Sequence, residues 1–186
     1  MTTLQPKKGL LLVAEPSIIG DVSFNRSVVL LAEYNENGSV GFILNKPLEY
    51  KLKDFVPEVS SNLKVYNGGP VEQDNLYFIH TIPEIIPNSV EISHGIYWGG
   101  DFAAILELLK MDKLNETQIR FFLGYSGWET DQLEKELSVN SWVVVPNKYK
   151  NDIISTSYDN LWKEKMIEFG GDYVLWSNAP ENPNYN

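Results

Sequence analysis

The sequence predicts a single α+β domain in which one mixed, mostly antiparallel, curved sheet is packed round with helices. Three observations predict it. The 186 residues are 43% hydrophobic and 22% charged, which is globular composition at the length of one domain. Strand-like and helix-like stretches alternate with no repeat and no linker between them. Asn35-Glu36-Asn37-Gly38 lies between two apolar runs, and its Asn-Gly pair supplies the positive φ angles of a tight hairpin, so the sheet is not purely parallel.

The elements follow in order. Leu10 to Ala14 is a short apolar run after Gly9 and reads as a buried strand. Ser27 to Tyr34 and Ser39 to Leu44 are the hairpin strands, rich in Val, Ile and Leu. Asn45-Lys46-Pro47 ends the hairpin, because proline cannot donate to a ladder. Leu52 to Val56 reads as a helical turn before Pro57. Leu63 to Tyr66 and Leu76 to His80 read as strands, the first leading into Asn67-Gly68-Gly69-Pro70. Thr81 to Ser89, with Pro83 and Pro87, reads as a surface loop. Asp101 to Met111 is a helix: Phe102, Ile105, Leu106 and Leu109 make one apolar stripe, and Asp101 is placed to cap it. Arg120 to Tyr125 is a strand, Thr130 to Leu137 a short amphipathic helix with Leu133 and Leu137 inward, and Ser141 to Val145 a strand stopped by Pro146. Tyr158 to Phe169 repeats the helical stripe and stops at Gly170-Gly171. The ordered core is expected over about 9–177 of the single domain 1–186, with 178–186 a flexible tail.

Composition bounds the function. There are no cysteines, which excludes disulfides, thiolate metal sites and cysteine nucleophiles. With only two histidines, His80 and His94, a dedicated transition-metal site is not expected, and no cofactor is. The net charge of −10 disfavours direct DNA binding, which depends on Lys and Arg neutralising phosphates. No helix-turn-helix or basic recognition helix is visible. No apolar run approaches the ~18–20 residues that cross a bilayer, and Met1 to Lys8 lacks an apolar signal core, so the cytoplasm is the expected compartment and a membrane partner is not.

Glycine clusters carry the strongest local signal. Gly68-Gly69-Pro70 follows a strand, where successive glycines can turn backbone N–H groups into an anion-holding nest, or simply form a turn that only glycine tolerates. Phosphate-loop and dinucleotide fingerprints are absent. Gly124-Tyr125-Ser126-Gly127-Trp128, between a strand and a helix, approaches the Gly-x-Ser-x-Gly nucleophile elbow. It fails at Trp128, and both histidines precede Ser126, the reverse of the hydrolase order. Arg26 stands at a strand entrance, where it can clamp a carboxylate or phosphate or pair with a nearby acid; it is one of only two arginines, with Arg120. His80 ends an apolar strand and reads as a hydrogen-bonded core-edge residue before a catalyst. The five tryptophans read as packing anchors.

In their order and spacing these pieces resemble the AlgH/YqgE family of uncharacterised bacterial proteins. The matching segments include Gly9-Leu10-Leu11-Leu12-Val13-Ala14, Phe24-Asn25-Arg26-Ser27-Val28-Val29, Gly41-Phe42-Ile43-Leu44-Asn45-Lys46-Pro47, Gly68-Gly69-Pro70-Val71, Phe78-Ile79-His80, Gly124-Tyr125-Ser126-Gly127-Trp128, Gln132-Leu133-Glu134 and Asn140-Ser141-Trp142. Together they span roughly residues 9 to 170. The resemblance implies a bifurcated, partly barrel-like sheet surrounded by helices, and the family's common label of transcriptional regulator; no reaction is established for it. The chain departs from the family at Asp21-Val22-Ser23, where Asp-Pro is usual, and at Ser126 and Glu129-Thr130, where Ala and Pro-Gly are usual.

The candidate ligand site is therefore Arg26, Asn45, Gly68, Gly69, Pro70, His80, Ser126, Gly127 and Trp128. The expected function is regulation through an unidentified protein partner or a small anionic ligand. The alternative is a hydrolase or transferase acting on a phosphate- or carboxylate-bearing small molecule, for which the sequence shows no complete catalytic constellation.

Overall fold

A computed structural model describes residues 4–16, 22–155 and 159–180. Ten strands join in one sheet with the order β10-β1-β2-β3-β9-β6-β8-β7, while β4 pairs with β5 and β5 with β9. The strands are β1 (Leu11–Ala14), β2 (Val28–Asn35), β3 (Gly38–Ile43), β4 (Pro47–Lys51), β5 (Lys64–Asn67), β6 (Val71–His80), β7 (Val90–Ser93), β8 (Ile96–Trp98), β9 (Ile119–Trp128) and β10 (Trp142–Val145). Around them pack α1 (Leu52–Phe55), α2 (Phe102–Lys110), α3 (Gln132–Ser138), α4 (Leu161–Phe169), α5 (Tyr173–Asn178) and a 3-10 turn, Lys150–Ile154. The fold is α+β and mostly antiparallel, as expected; among the described residues the one parallel pairing is β5 with β9, and the sheet does not close into a barrel.

The β2–β3 hairpin forms, but its turn differs from the expected one. Asn35 pairs with Gly38, leaving Glu36 and Asn37 as the central residues, and neither has a positive φ. The Asn35 side chain instead accepts the Asn37 N–H at 2.9 Å, and the left-handed angle falls on Gly38 at φ +130°. Pro47 does not only end the hairpin: it opens β4, an edge strand in which its missing N–H costs little. The segment 81–89 is irregular, yet Ile82 and Ile86 are buried in the core, so it is not wholly a surface loop. The β7–β8 hairpin and α5 are additions to the sequence reading. In α2, Asp101 accepts the Ala103 N–H as the predicted cap; Ile105 and Leu109 are buried, and Phe102 lies at the exposed start of the stripe.

The long strand β9 organises the rest. Its first half, Ile119 to Leu123, lies between β5 and β6; its second half pairs with β3 from Ser126 to Trp128. The sheet forks where β5 ends and β3 takes its place. Three apolar clusters fill the angles of the fork, and β9 contributes to each: Phe122 to the first, Ile119 and Phe121 to the second, Trp128 to the third.

Candidate functional site

The glycine motifs sit at the fork. Gly68 steps off β5, donates its N–H to Leu123 O at 2.8 Å and accepts the Ile43 N–H at 3.0 Å. A Cβ on Gly68 would lie 2.3 Å from Gly124 O, and one on Gly124 would lie 2.7 Å from both Gly69 O and Val71 O. Glycine is required because two backbones cross in contact there. Gly69 N–H goes to Asn67 Oδ1 at 3.1 Å. Both amide hydrogens are spent within the protein, so the pair forms a turn at a crossing and not an anion nest. Pro70 is exposed beside it.

Ser126 lies inside β9, not at a strand-to-helix turn, and it is fully buried. Its hydroxyl donates to Gly68 O at 3.0 Å, which fastens one arm of the fork to the other. The Gly124 to Trp128 segment therefore lacks the exposed serine that an elbow needs. Trp128 is buried against Phe24 and Trp142, and its indole N–H reaches Glu136 Oε2 at 2.9 Å, so it anchors α3. Gly127 and the edge of Trp128 border a cleft of about 520 Å³ whose charged lining residues are Glu33 and Glu129. That charge is wrong for an anion.

His80 is buried at the far end of β6. Its Nδ1 accepts the Ile82 N–H at 3.2 Å, so its proton is on Nε2, which faces Gly99 O at 3.3 Å, and its ring stacks on Tyr97. Burial pushes its pKa below the usual histidine value, outweighing the Gly99 carbonyl and Glu84. His80 pairs with Ile119, seven residues along β9 from Ser126; at ~3.3 Å per residue the two are roughly 20 Å apart. They cannot act as nucleophile and base.

Arg26 and Asn45 do come together. Asn45 Nδ2 donates to Arg26 O at 2.8 Å while its Oδ1 accepts the Val28 N–H at 2.8 Å. This staple holds Arg26 at φ +54°, a left-handed conformation that non-glycine residues seldom adopt. The guanidinium lies over the Trp162 ring, 5.1 Å from its centre. Its Nη2 donates to Ala179 O at 2.9 Å and to Pro180 O at 2.8 Å. No acid pairs with it among these contacts. Arg26, Asn45 and Lys46 line an open cleft of about 660 Å³, completed by Asn25 and the first turn of α4 with Asn160 and Lys163. The N-cap Asn160 makes no side-chain cap bond. Lys46 Nζ donates to Ser23 O at 2.8 Å.

The nine predicted residues thus divide among the Arg26–Asn45 cleft, the buried fork, the acidic cleft and the His80 end of the sheet. Lys46, Asn160 and Lys163 are lining residues that the motifs did not single out. Lys46 lies inside the Gly41 to Pro47 motif; Lys163 carries no signal, because a lysine on an exposed helix face looks the same wherever the helix docks. Arg120, the other arginine, is buried, donates to Leu44 O at 3.1 Å and lies 4.2 Å over Tyr66, as a core clamp. Among the described residues no group of acids and histidines could hold a metal ion, and no helix is long and apolar enough to cross a membrane. Residues 17–21, with Asp21, and 181–186 of the expected tail lie outside the described residues, as does Tyr158.

The sequence profile of a family described as AlgH-like matches residues 11–174. A UPF0301 protein of Bacteroides fragilis is 39% identical over 186 residues, covering 98% of this chain and 93% of its own. A UPF0301 protein of Cytophaga hutchinsonii is 39% identical over 181 residues, covering 96% and 98%. Among solved structures, a protein of Corynebacterium diphtheriae superimposes with a TM-score of 0.77 at 24% identity, over 96% of this chain and 95% of its own. The solution structure of the AlgH protein of Pseudomonas aeruginosa gives 0.70 at 24% identity, over 97% and 98%. These two likenesses bear on the fold alone.

Proposed function

The chain belongs to the AlgH-like family, and from that premise we propose that it is a binding protein that takes a small phosphate- or carboxylate-bearing anion in the Arg26 cleft and regulates through that binding. One observation carries the reading. In a chain of net charge −10, Arg26, Lys46 and Lys163 converge on one open cleft, where Asp159 is the sole acidic lining residue among the described residues. Charge-assisted bonds from a guanidinium and an ammonium, with the first turn of α4 at the wall, are the chemistry of carboxylate and phosphate recognition. The volume suits a metabolite-sized ligand. The catalytic alternative has no such support, since Ser126, His80 and Arg26 lie in different environments and each is tied to backbone carbonyls or amides. Any effect on transcription would then pass through another protein.

The test is calorimetric titration of inorganic phosphate and of citrate into the wild type, Arg26→Gln and Lys163→Gln at low salt. We expect binding by the wild type and a loss of about tenfold or more in Arg26→Gln, the scale of one charge-assisted contact. Lys163 is exposed, so Lys163→Gln leaves the fold alone and weakens binding severalfold. Undiminished binding in both variants, or none in the wild type, refutes the reading. A band shift of a DNA fragment by the pure protein at physiological salt would refute its indirect part.

A further inference from the structure

Within the open cleft, the Arg26 guanidinium is already engaged by the protein's own chain. α5 ends at Asn178, and the cause is local: Ala179 precedes a proline, which excludes the helical conformation, and it sits at φ −67°, ψ 140°. The chain therefore leaves α5 extended. Ala179 N–H still reaches back to Trp176 O at 3.2 Å, which fixes the turn. The two next carbonyls, of Ala179 and Pro180, then fall on Arg26 Nη2 at 2.9 and 2.8 Å. Both residues also line the cleft.

These two oxygens stand where the oxygens of an anion would stand. They are neutral acceptors, and a hydrogen bond from a guanidinium to a charged oxygen is roughly twice as strong as one to a neutral oxygen. They are also the end of a short helix with little hold beyond α4: α5 has six residues, of which Leu175 is 73% exposed. The anchor lies at its other end, where Tyr173 OH donates to Glu15 Oε1 at 2.7 Å. The segment after Asn178 can thus leave Arg26 while α5 stays tethered at its start.

We infer that Ala179-Pro180 is an autoinhibitory strap, which holds Arg26 until a phosphate- or carboxylate-bearing ligand displaces it. The inference rests on the anion-binding reading of the same cleft. Ligand occupancy then becomes release of Ala179-Pro180 from the cleft between Arg26 and the start of α4, which gives the binding protein an output that a partner can read.

The experiment uses the full chain with inorganic phosphate as probe. Pro180→Gly loosens the strap without touching Arg26, since glycine restores freedom that proline removes; phosphate affinity should rise about two- to fivefold. In the wild type, hydrogen exchange at the Ala179 and α5 amides should accelerate as phosphate saturates. If phosphate binds through Arg26 but Pro180→Gly binds no tighter and the Ala179 amide stays as protected, the strap is refuted and the anion site stands. If phosphate binds neither protein, both readings fall. If Pro180→Gly binds tighter and exchange accelerates, both are supported.

Discussion

His80 shows how a buried polar residue can look catalytic and be structural. Both ring nitrogens are engaged by backbone, at Ile82 and Gly99, in an arrangement that requires the neutral ring. Burial lowers its pKa, so the sign of its pH dependence is fixed: the unfolded chain takes up the proton first, at about pH 6.5. The stability His80 contributes is complete above that pH and is lost as the pH falls through its depressed folded value. Carboxylates also weaken the fold in acid, so the test is a difference. Denaturation midpoints of wild type and His80→Gln, compared from pH 7.5 to pH 5, should converge on acidification; curves that stay parallel refute the assignment. Ser126 makes the same point. Gly68 O keeps the Ile43 N–H when the hydroxyl is removed. Ser126→Ala should therefore cost only about 1 kcal/mol in chemical denaturation and leave phosphate binding unchanged.

Among the elements, α3 is tied to two buried tryptophans of the sheet by one carboxylate, beside its Leu133 packing and the Tyr34–Glu134 hydrogen bond. Glu136 Oε2 accepts the indole N–H of Trp128 on β9 at 2.9 Å and of Trp142 on β10 at 2.8 Å, and its Oε1 accepts Gln132 Nε2 at 3.0 Å. Both tryptophans are almost fully buried, so removing the acceptor leaves two donors without a protein partner. Glu136→Ala should cost about 2–4 kcal/mol in urea unfolding, and Glu136→Gln, which keeps a carbonyl oxygen, much less. Equal losses in the two would show that charge, not acceptor geometry, docks the helix. At this scale the sequence is readable where side-chain period and turn chemistry agree. α2 and α4 show a helical stripe, and the β2–β3 hairpin lies between two apolar runs. The β7–β8 hairpin is not legible in the sequence although His94 and Gly95, both with positive φ, form its two-residue turn; His-Gly is a weaker turn signal than Asn-Gly or Asp-Gly. α5 went unread because its six residues leave Val174, Leu175 and Trp176 exposed, with no apolar stripe to mark a buried face. The cleft was half legible. Arg26 and Asn45 stand in adjacent motifs, but Lys163 and Ala179-Pro180 reach Arg26 from more than 130 residues away, and no local pattern encodes that approach.

The molecule as a whole depends on one strand. β9 pairs with β3, β5 and β6, and its side chains enter all three apolar clusters. A forked sheet could come apart in two pieces, with the β10-β1-β2-β3 arm melting away from the β6-β8-β7 arm. The crossing at Gly68 and Gly124 argues against this, since Ile43 N–H and Ser126 Oγ both close on Gly68 O and bind the arms at the point where they diverge. Separating them would also strip Phe42 from Phe122, whose rings stack at 4.9 Å across β3 and β9. Unfolding should therefore be one cooperative transition. Tryptophan reports from both arms, with Trp142 on β10 and Trp98 on β8, so fluorescence and far-ultraviolet circular dichroism should trace the same urea curve. The slowest-exchanging amides should lie in β9. Two resolved transitions, or greater protection in the outer strands than in β9, would mean that the arms are separate folding units and that the fork is only a contact between them.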